Sequence, residues 1–312
     1  MFQEMAAYFQ VHRDAWRRDH VLADEEMAWV EGQISRAIED VQSRGFDRSK
    51  ARWERLIERV GSDVYVPVYD VQSVISTLIG DTRIVKRAPF ISHGQIKSIQ
   101  SQLKPGDILL ERRNWYASNA FLPGFWPHAA IYIGTADDLE KLGIANDPIV
   151  RQHFAEYVKP AHDGEPNTVL ESVSEGVIFN SLTESMGADY VAVLRPRLTD
   201  AQKGEAIVKA FAHRGRPYDF EFDFFSSDKL VCTELVYRSY EGLLHFDLVK
   251  IMGRDTLPAL EICKKFAGER GRADRQLDFV LFLDAVPQDG SARLASEDDF
   301  CASAHRPRGF NE

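Results

Sequence analysis

Three residues of this chain have the types and settings that attack on a carbonyl requires. Cys232 sits in the run Leu230-Val231-Cys232-Thr233-Glu234-Leu235-Val236, at the predicted start of a helix. Unpaired N–H groups and the dipole at a helix start favour a thiolate and lower the thiol pKa toward reactivity. The same N–H groups can receive the oxyanion that forms on an attacked carbonyl. A small buried hydrophobe is the ordinary role of an unpaired cysteine and stands as the alternative. His128, in Trp126-Pro127-His128-Ala129-Ala130-Ile131, opens an otherwise apolar strand. Such a position holds an imidazole rigidly, as a general base must be held, although hydrogen-bonded core histidines occur there too. Glu171 lies on the next predicted strand, in Thr168-Val169-Leu170-Glu171-Ser172-Val173. A carboxylate there can accept the second imidazole N–H, fixing the tautomer and stabilising the imidazolium. Glu175, four residues on, competes for that part, and a solvent-facing strand position is the plainer reading of either residue.

The elements that must position these side chains read as α+β. Lys104-Pro105-Gly106-Asp107 is a turn, followed by a short buried strand from Ile108 to Glu111. Further strands are predicted over Ala129–Gly134, over Val169–Phe179 with a bend at Glu175-Gly176, over Tyr190–Arg195, and over Phe279–Leu283. Thr199 reads as the N-cap of a helix from Ala201 to His213, and Val231–Gly242 as the helix that carries Cys232. Strands of antiparallel type around one central helix argue against a doubly wound sheet. Residues 1–100 read as a separate helical module. Met27, Val30, Ile34, Ile38 and Val41 form an apolar stripe, and Trp53, Leu56, Ile57 and Val60 form another. Val64–Ile79 suits a third helix or a buried strand. Residues 101–286 form the body of the fold, and 287–312 read as a loose polar tail.

Composition narrows the function classes. The net charge is −10, and nearly all of it falls after residue 100, so a phosphate backbone is a poor partner and no nucleic acid is expected. No apolar run reaches the ~18–20 residues a membrane span needs. Cys232, Cys263 and Cys301 are too far apart for a CxxC metal pattern or a disulfide framework. No secretory leader is visible at the start, and the expected setting is a reducing cytoplasm. Neither GxGxxG nor GxxxxGK[ST] occurs, so no cofactor and no metal is expected.

Taken in order, Lys104-Pro105-Gly106-Asp107-Ile108-Leu109-Leu110, Pro127-His128-Ala129-Ala130-Ile131-Tyr132-Ile133-Gly134, Leu170-Glu171-Ser172-Val173, Gly215-Arg216-Pro217-Tyr218-Asp219-Phe220 and Cys232-Thr233-Glu234-Leu235-Val236 resemble the permuted NlpC/P60 cysteine hydrolases of the YiiX/YebB-like group. The resemblance covers roughly Leu103 to Gly242. It implies a papain-like antiparallel sheet domain in which the histidine strand precedes the cysteine helix. It implies Cys232 as nucleophile, His128 as base, Glu171 as the orienting third residue, and Tyr218 lining the site as a candidate oxyanion donor. Thr233 stands where serine is common after the cysteine, a departure that leaves the chemistry intact.

The expected activity is hydrolysis of an amide or ester carbonyl through a thioester. Phe121, Phe125 and Trp126 crowd the approach to His128, and Phe220, Phe222, Phe224 and Phe225 approach Cys232. If they line a cleft they suit an acyl chain, as in relatives of lecithin retinol acyltransferase, so a lipid or acyl-amide is weighed above a cell-wall peptide. Ordinary core packing is the competing account of these rings. The rival class is a binding protein that keeps the scaffold without the activity. A homo-oligomer through the N-terminal helices is a further expectation.

Overall fold

A computed structural model describes residues 87–114, 124–173, 175–217, 231–251 and 254–306. The apolar stripes, the third segment and the oligomer expected of residues 1–86 lie outside the described residues.

The core of the fold is a seven-stranded antiparallel sheet. Its strands are β1 (Asp107–Arg112), β2 (His128–Tyr132), β3 (Asn167–Val173), β4 (Gly176–Ser181), β5 (Tyr190–Pro196), β8 (Leu277–Val286) and β9 (Ser291–Ala295), in the spatial order β4-β3-β2-β1-β5-β8-β9. A separate short hairpin pairs β6 (Val249–Ile251) with β7 (Arg254–Thr256). Strand side chains alternate between two apolar layers. Ile108, Leu110, Ile131, Leu170, Ala192 and Leu194 face the larger one. Leu109, Ala130, Tyr132, Val169, Val191 and Val193 face the other.

The described residues form eight α-helices: α1 (His93–Ile99), α2 (Ala136–Lys141), α3 (Pro148–Tyr157), α4 (Leu182–Ser185), α5 (Asp200–Phe211), α6 (Cys232–Ser239), α7 (Ala259–Glu269) and α8 (Glu297–Ser303). Helices α3, α5, α6, α7 and α8 contribute to the larger layer. The second layer is closed by Phe90, Ile91, Ile96 and Ile99 from the α1 region, with Leu182, Met186 and Ala188. Phe90, Ile91, Ile96 and Ile99, which precede residue 100, therefore pack on the sheet.

Helix α6 is fixed at both ends. Its side chains Leu235 and Val236 are buried in the larger layer, and it packs against β2 and β3. At its far end the Tyr240 hydroxyl donates to the Gly106 carbonyl at 2.6 Å. Gly106 has a φ of +86°, the left-handed geometry that a Pro-Gly turn of type II requires, and the Asp107 N–H closes that turn on the Lys104 carbonyl at 3.0 Å. The turn read from sequence thus anchors the cysteine helix to the start of β1.

Two sequence expectations are corrected here. Val169–Phe179 is not one bent strand but the hairpin of β3 and β4, because Gly176, with a φ of +104°, reverses the chain. A side chain at Gly176 would also meet the Arg216 carbonyl, which lies 2.5 Å from where its Cβ would stand. The stretch after Pro287 is likewise no loose tail. Strand β9 pairs with β8 from Phe282 to Val286, and Ser296 caps α8 with a reciprocal Asp299 contact. Phe300 of α8 is fully buried against Trp126, Phe266, Phe279 and Phe282. The polar residues that suggested a tail are the solvent side of an amphipathic strand and helix.

Phe300→Ala tests this directly. Emptying a fully buried phenylalanine site costs about 3–5 kcal/mol, whereas a residue on a loose tail would cost under about 0.5 kcal/mol. Chemical denaturation followed by tryptophan fluorescence reads the difference.

Candidate active site

The candidate site is built where β1, β2 and β3 run side by side near the start of α6. His128 is the first residue of β2 and lies directly opposite Glu111 of β1. Its approach is held rigidly from below. Arg112, fully buried, donates from Nη1 to the Phe125 carbonyl at 2.7 Å and from Nε to Asn114 Oδ1 at 2.9 Å. The Trp126 indole N–H donates to Ser303 Oγ of α8 at 2.9 Å. Phe125 and Trp126, the two residues before Pro127, are thereby tied to separate elements.

His128 Nε2 lies 2.8 Å from Glu171 Oε2, with 23% of the imidazole and 2% of the carboxylate side chain exposed. The other Glu171 oxygen accepts from Asn180 Nδ2 at 2.8 Å, and the Asn180 carbonyl oxygen accepts the Ser181 N–H at 2.9 Å. This last bond fixes which way the Asn180 amide points. The Cys232 Sγ lies 3.9 Å from the Pro127 carbonyl oxygen, and the His128 ring and the backbone N–H groups of Ala129 and Thr233 are close enough to act on the thiol. Val231 occupies the N-cap of α6 and has no side-chain acceptor for the first-turn N–H groups. A serine or aspartate there would compete for those donors. The result is one chain of contacts, Asn180–Glu171–His128–Cys232, drawn from β4, β3, β2 and α6.

The electrostatics follow from this geometry. Burial alone would raise the Cys232 pKa, but the His128 charge, the hydrogen bond to its ring and the two backbone N–H groups outweigh it and hold the thiol below its ordinary value. Burial would lower the His128 pKa, yet Cys232, Glu171 and Glu111 together raise it well above the ordinary value. Burial would raise the Glu171 pKa, but its bonds to His128 and Asn180 and the nearby Arg113 leave it depressed. All three shifts favour thiolate, imidazolium and carboxylate. The other two cysteines move the opposite way: burial pushes the Cys263 thiol up to about 12 and raises Cys301 above its usual value.

The structure therefore brings Cys232, His128 and Glu171 together. Glu175 is exposed on the turn between β3 and β4, so the carboxylate beside the imidazole is Glu171. Phe125 and Trp126, expected to line a cleft, are fully buried core residues packed edge to face with each other. Tyr190 covers the first and Phe282 the second. Phe121, Tyr218 and the aromatics from Phe220 to Phe225 lie outside the described residues.

Two site residues were not anticipated. Asn180 shares a face with Glu171 only because β3 and β4 form a hairpin, so reading Glu175-Gly176 as a turn would have exposed it. Glu111 could have been found from the short connection between consecutive antiparallel strands, which sets it against His128. Glu111, His128 and Glu171 are the cluster among the described residues whose donor atoms, within 4.8 Å of one another, have the composition of a cation site. The imidazole–carboxylate hydrogen bond already fills the space between two of them, and the cluster reads as one that holds protons.

A model of the permuted papain-like amidase enzymes, YaeF/YiiX, C92 family, matches residues 102–273. The chain belongs to this family. The match spans more than half of the sequence and includes β1 to β4, α5, α6 and every residue of the contact chain. Members are described as amidases on a permuted papain-like fold, and the antiparallel sheet with its helices agrees with that fold. No curated protein and no solved structure gives a significant match. No helix among the described residues is long and apolar enough to cross a membrane.

The depressed thiol pKa has a direct readout. A free thiol titrates near about 8.5 and is less than about 1% thiolate at pH 6. Cys232 keeps its thiolate until the pH falls through its lowered pKa, so in a pH series it should stay reactive toward iodoacetamide to lower pH than Cys301. In His128→Ala the main cause of the shift is gone, and the rate at pH 6 should fall toward that of Cys301. Mass spectrometry of the labelled peptides measures both.

Proposed function

We propose that this protein hydrolyses an amide bond with Cys232 as nucleophile, His128 as general base and then acid, and Glu171 as the group that orients and charges the imidazole. The observation that carries the reading is the hydrogen-bonded His128–Glu171 pair acting on the Cys232 thiol at the start of α6, in a member of an amidase family.

Each step uses a group already in place. The Cys232 sulfur attacks the carbonyl carbon, and the π-electron pair moves to the oxygen to form a tetrahedral oxyanion. N–H groups at the start of α6 stabilise that charge, with Tyr218 the further donor that the family resemblance suggests. The His128 imidazolium gives its proton to the amide nitrogen, the C–N bond breaks, and the amine leaves from a thioester. Neutral His128 then takes a proton from water, whose oxygen attacks the thioester and displaces the thiolate. Glu171 accepts the hydrogen bond from Nε2–H throughout, so the ring cannot rotate away from the sulfur and its positive form is stabilised.

The substrate side follows from the family and from the two corrected aromatics. With Phe125 and Trp126 in the core, two of the three rings nearest His128 no longer speak for an acyl-chain channel. We favour an amide in a small molecule or peptide over a lipid ester. A binding protein with an idle site is the reading that the experiment must defeat.

Cys232→Ala should lose at least about 10⁴-fold in amide hydrolysis while keeping wild-type melting, because the covalent route goes and only one buried sulfur is removed. Turnover equal to wild type on any amide the protein cleaves would remove Cys232 as nucleophile. Glu171→Gln should retain more activity than Cys232→Ala, since the amide still accepts from the imidazole but contributes no charge.

A further inference from the structure

Glu111 is a carboxylate that the proposed mechanism does not use, and its burial is expensive. It is 1% exposed and lies in register opposite His128 across β1 and β2. One oxygen accepts from Ser185 Oγ at 2.7 Å. The other, Oε2, has no hydrogen-bond partner among the described residues, and Arg113 approaches it only to 4.0 Å. A buried carboxylate with an unsatisfied oxygen destabilises a fold, and replacement by a neutral isostere is commonly neutral or stabilising. A purely structural role would not select such a residue.

We propose that Glu111 is a second positioning residue of the site, placing a negative charge beside the His128 imidazolium so that the ring stays charged until it protonates the leaving amine. The inference rests on the reading of Cys232 and His128 as the working pair. Glu171 accepts the hydrogen bond from Nε2–H and sets the ring's orientation; Glu111 stands across the strand pair and acts through space. The donor atoms of Glu111, His128 and Glu171 all lie within 4.8 Å of one another. At that separation a unit charge in a protein interior shifts a neighbour's titration by about one pH unit or more.

Several groups face Glu111 among the described residues. Arg113 follows it on the chain, β2 supplies His128 with Cys232 behind it, and β3 supplies Glu171. On α4 the Ser185 hydroxyl points to Glu111, while Glu184 turns to His162. The β5 residue opposite is the apolar Val191, and Asp189 just before β5 is engaged by Arg87. Burial and the Glu171 charge raise Glu111 to about 7 against the pull of His128, Arg113 and Ser185. Glu111 therefore gains its charge as the pH rises through neutrality, and that charge then opposes proton loss from His128.

The test is the titration of His128 in the full-length protein, followed by NMR of the imidazole and assigned by its loss in His128→Gln. Glu111→Gln keeps the shape and an acceptor for Ser185. It should lower the His128 pKa by about one unit or more and move the alkaline limb of kcat/KM down by the same amount. KM should change little, and the melting temperature should equal or exceed that of wild type. Ser185→Ala is the second variant: without the hydroxyl, Glu111 stays protonated to higher pH, and the His128 titration should move the same way by less. The inference is overturned if a folded Glu111→Gln leaves the His128 titration where it was, or, should that variant not fold, if Ser185→Ala does. These outcomes are separate from failure of the proposed mechanism, which Cys232→Ala reports and which leaves the titration of His128 unjudged.

Discussion

A carboxylate taken out of water costs several kcal/mol unless it is given opposite charge and hydrogen bonds, and Glu171 is given both. Its two oxygens are divided between the His128 ring and the Asn180 amide, each at 2.8 Å. Breaking either bond would leave a buried charge short of a partner, which is far more costly than forming the pair was favourable. That asymmetry fixes the register of β2, β3 and β4 at one end of the sheet. It also keeps the imidazole in a single orientation, so the helix carrying Cys232 meets a ring that is already placed.

The fold is clamped at both ends of β1 and β2. Arg112 and Trp126 grip the segment before His128, Tyr240 ties α6 to the turn before β1, and the Arg195 guanidinium holds Asp107 of that same turn with two bonds at 2.8 and 2.7 Å. None of these side chains touches the thiol. They decide whether sulfur and imidazole stay within reach of each other, a condition on which thiol chemistry depends steeply.

Much of this was legible in the sequence where a local signal existed. The Lys104–Asp107 turn, the strands beginning near Ile108, Ala129 and Tyr190, the Thr199 cap and the helix starting at Cys232 all carry period or capping cues, and all appear in the structure. His128 and Glu171 meet in a hydrogen bond, and the helix that starts at Cys232 packs on their two strands. What escaped was set by pairing. Whether Glu175-Gly176 bends a strand or reverses it depends on the partner strand, and Asn180 followed that error. The burial of Trp126 depends on Phe282 and Phe300, more than 150 residues away in the chain, and that of Phe125 on Tyr190. The last elements were missed for a different reason. Ser296 with Asp299 is a capping signature as clear as that of Thr199 with Gln202, but the acidic run around it suggested a solvated tail.

The bond from Trp126 to Ser303 joins residues 177 positions apart. A chain made from its N-terminus exposes His128 and Cys232 to solvent long before Ser303 has left the ribosome. The sheet can begin to pair earlier, but the segment leading into His128 lacks one of its two anchors until α8 docks. The support of Cys232 and His128 is thus completed only once α8 has been made, and a protein with α8 cut away would carry an intact set of candidate site residues on an unfinished support.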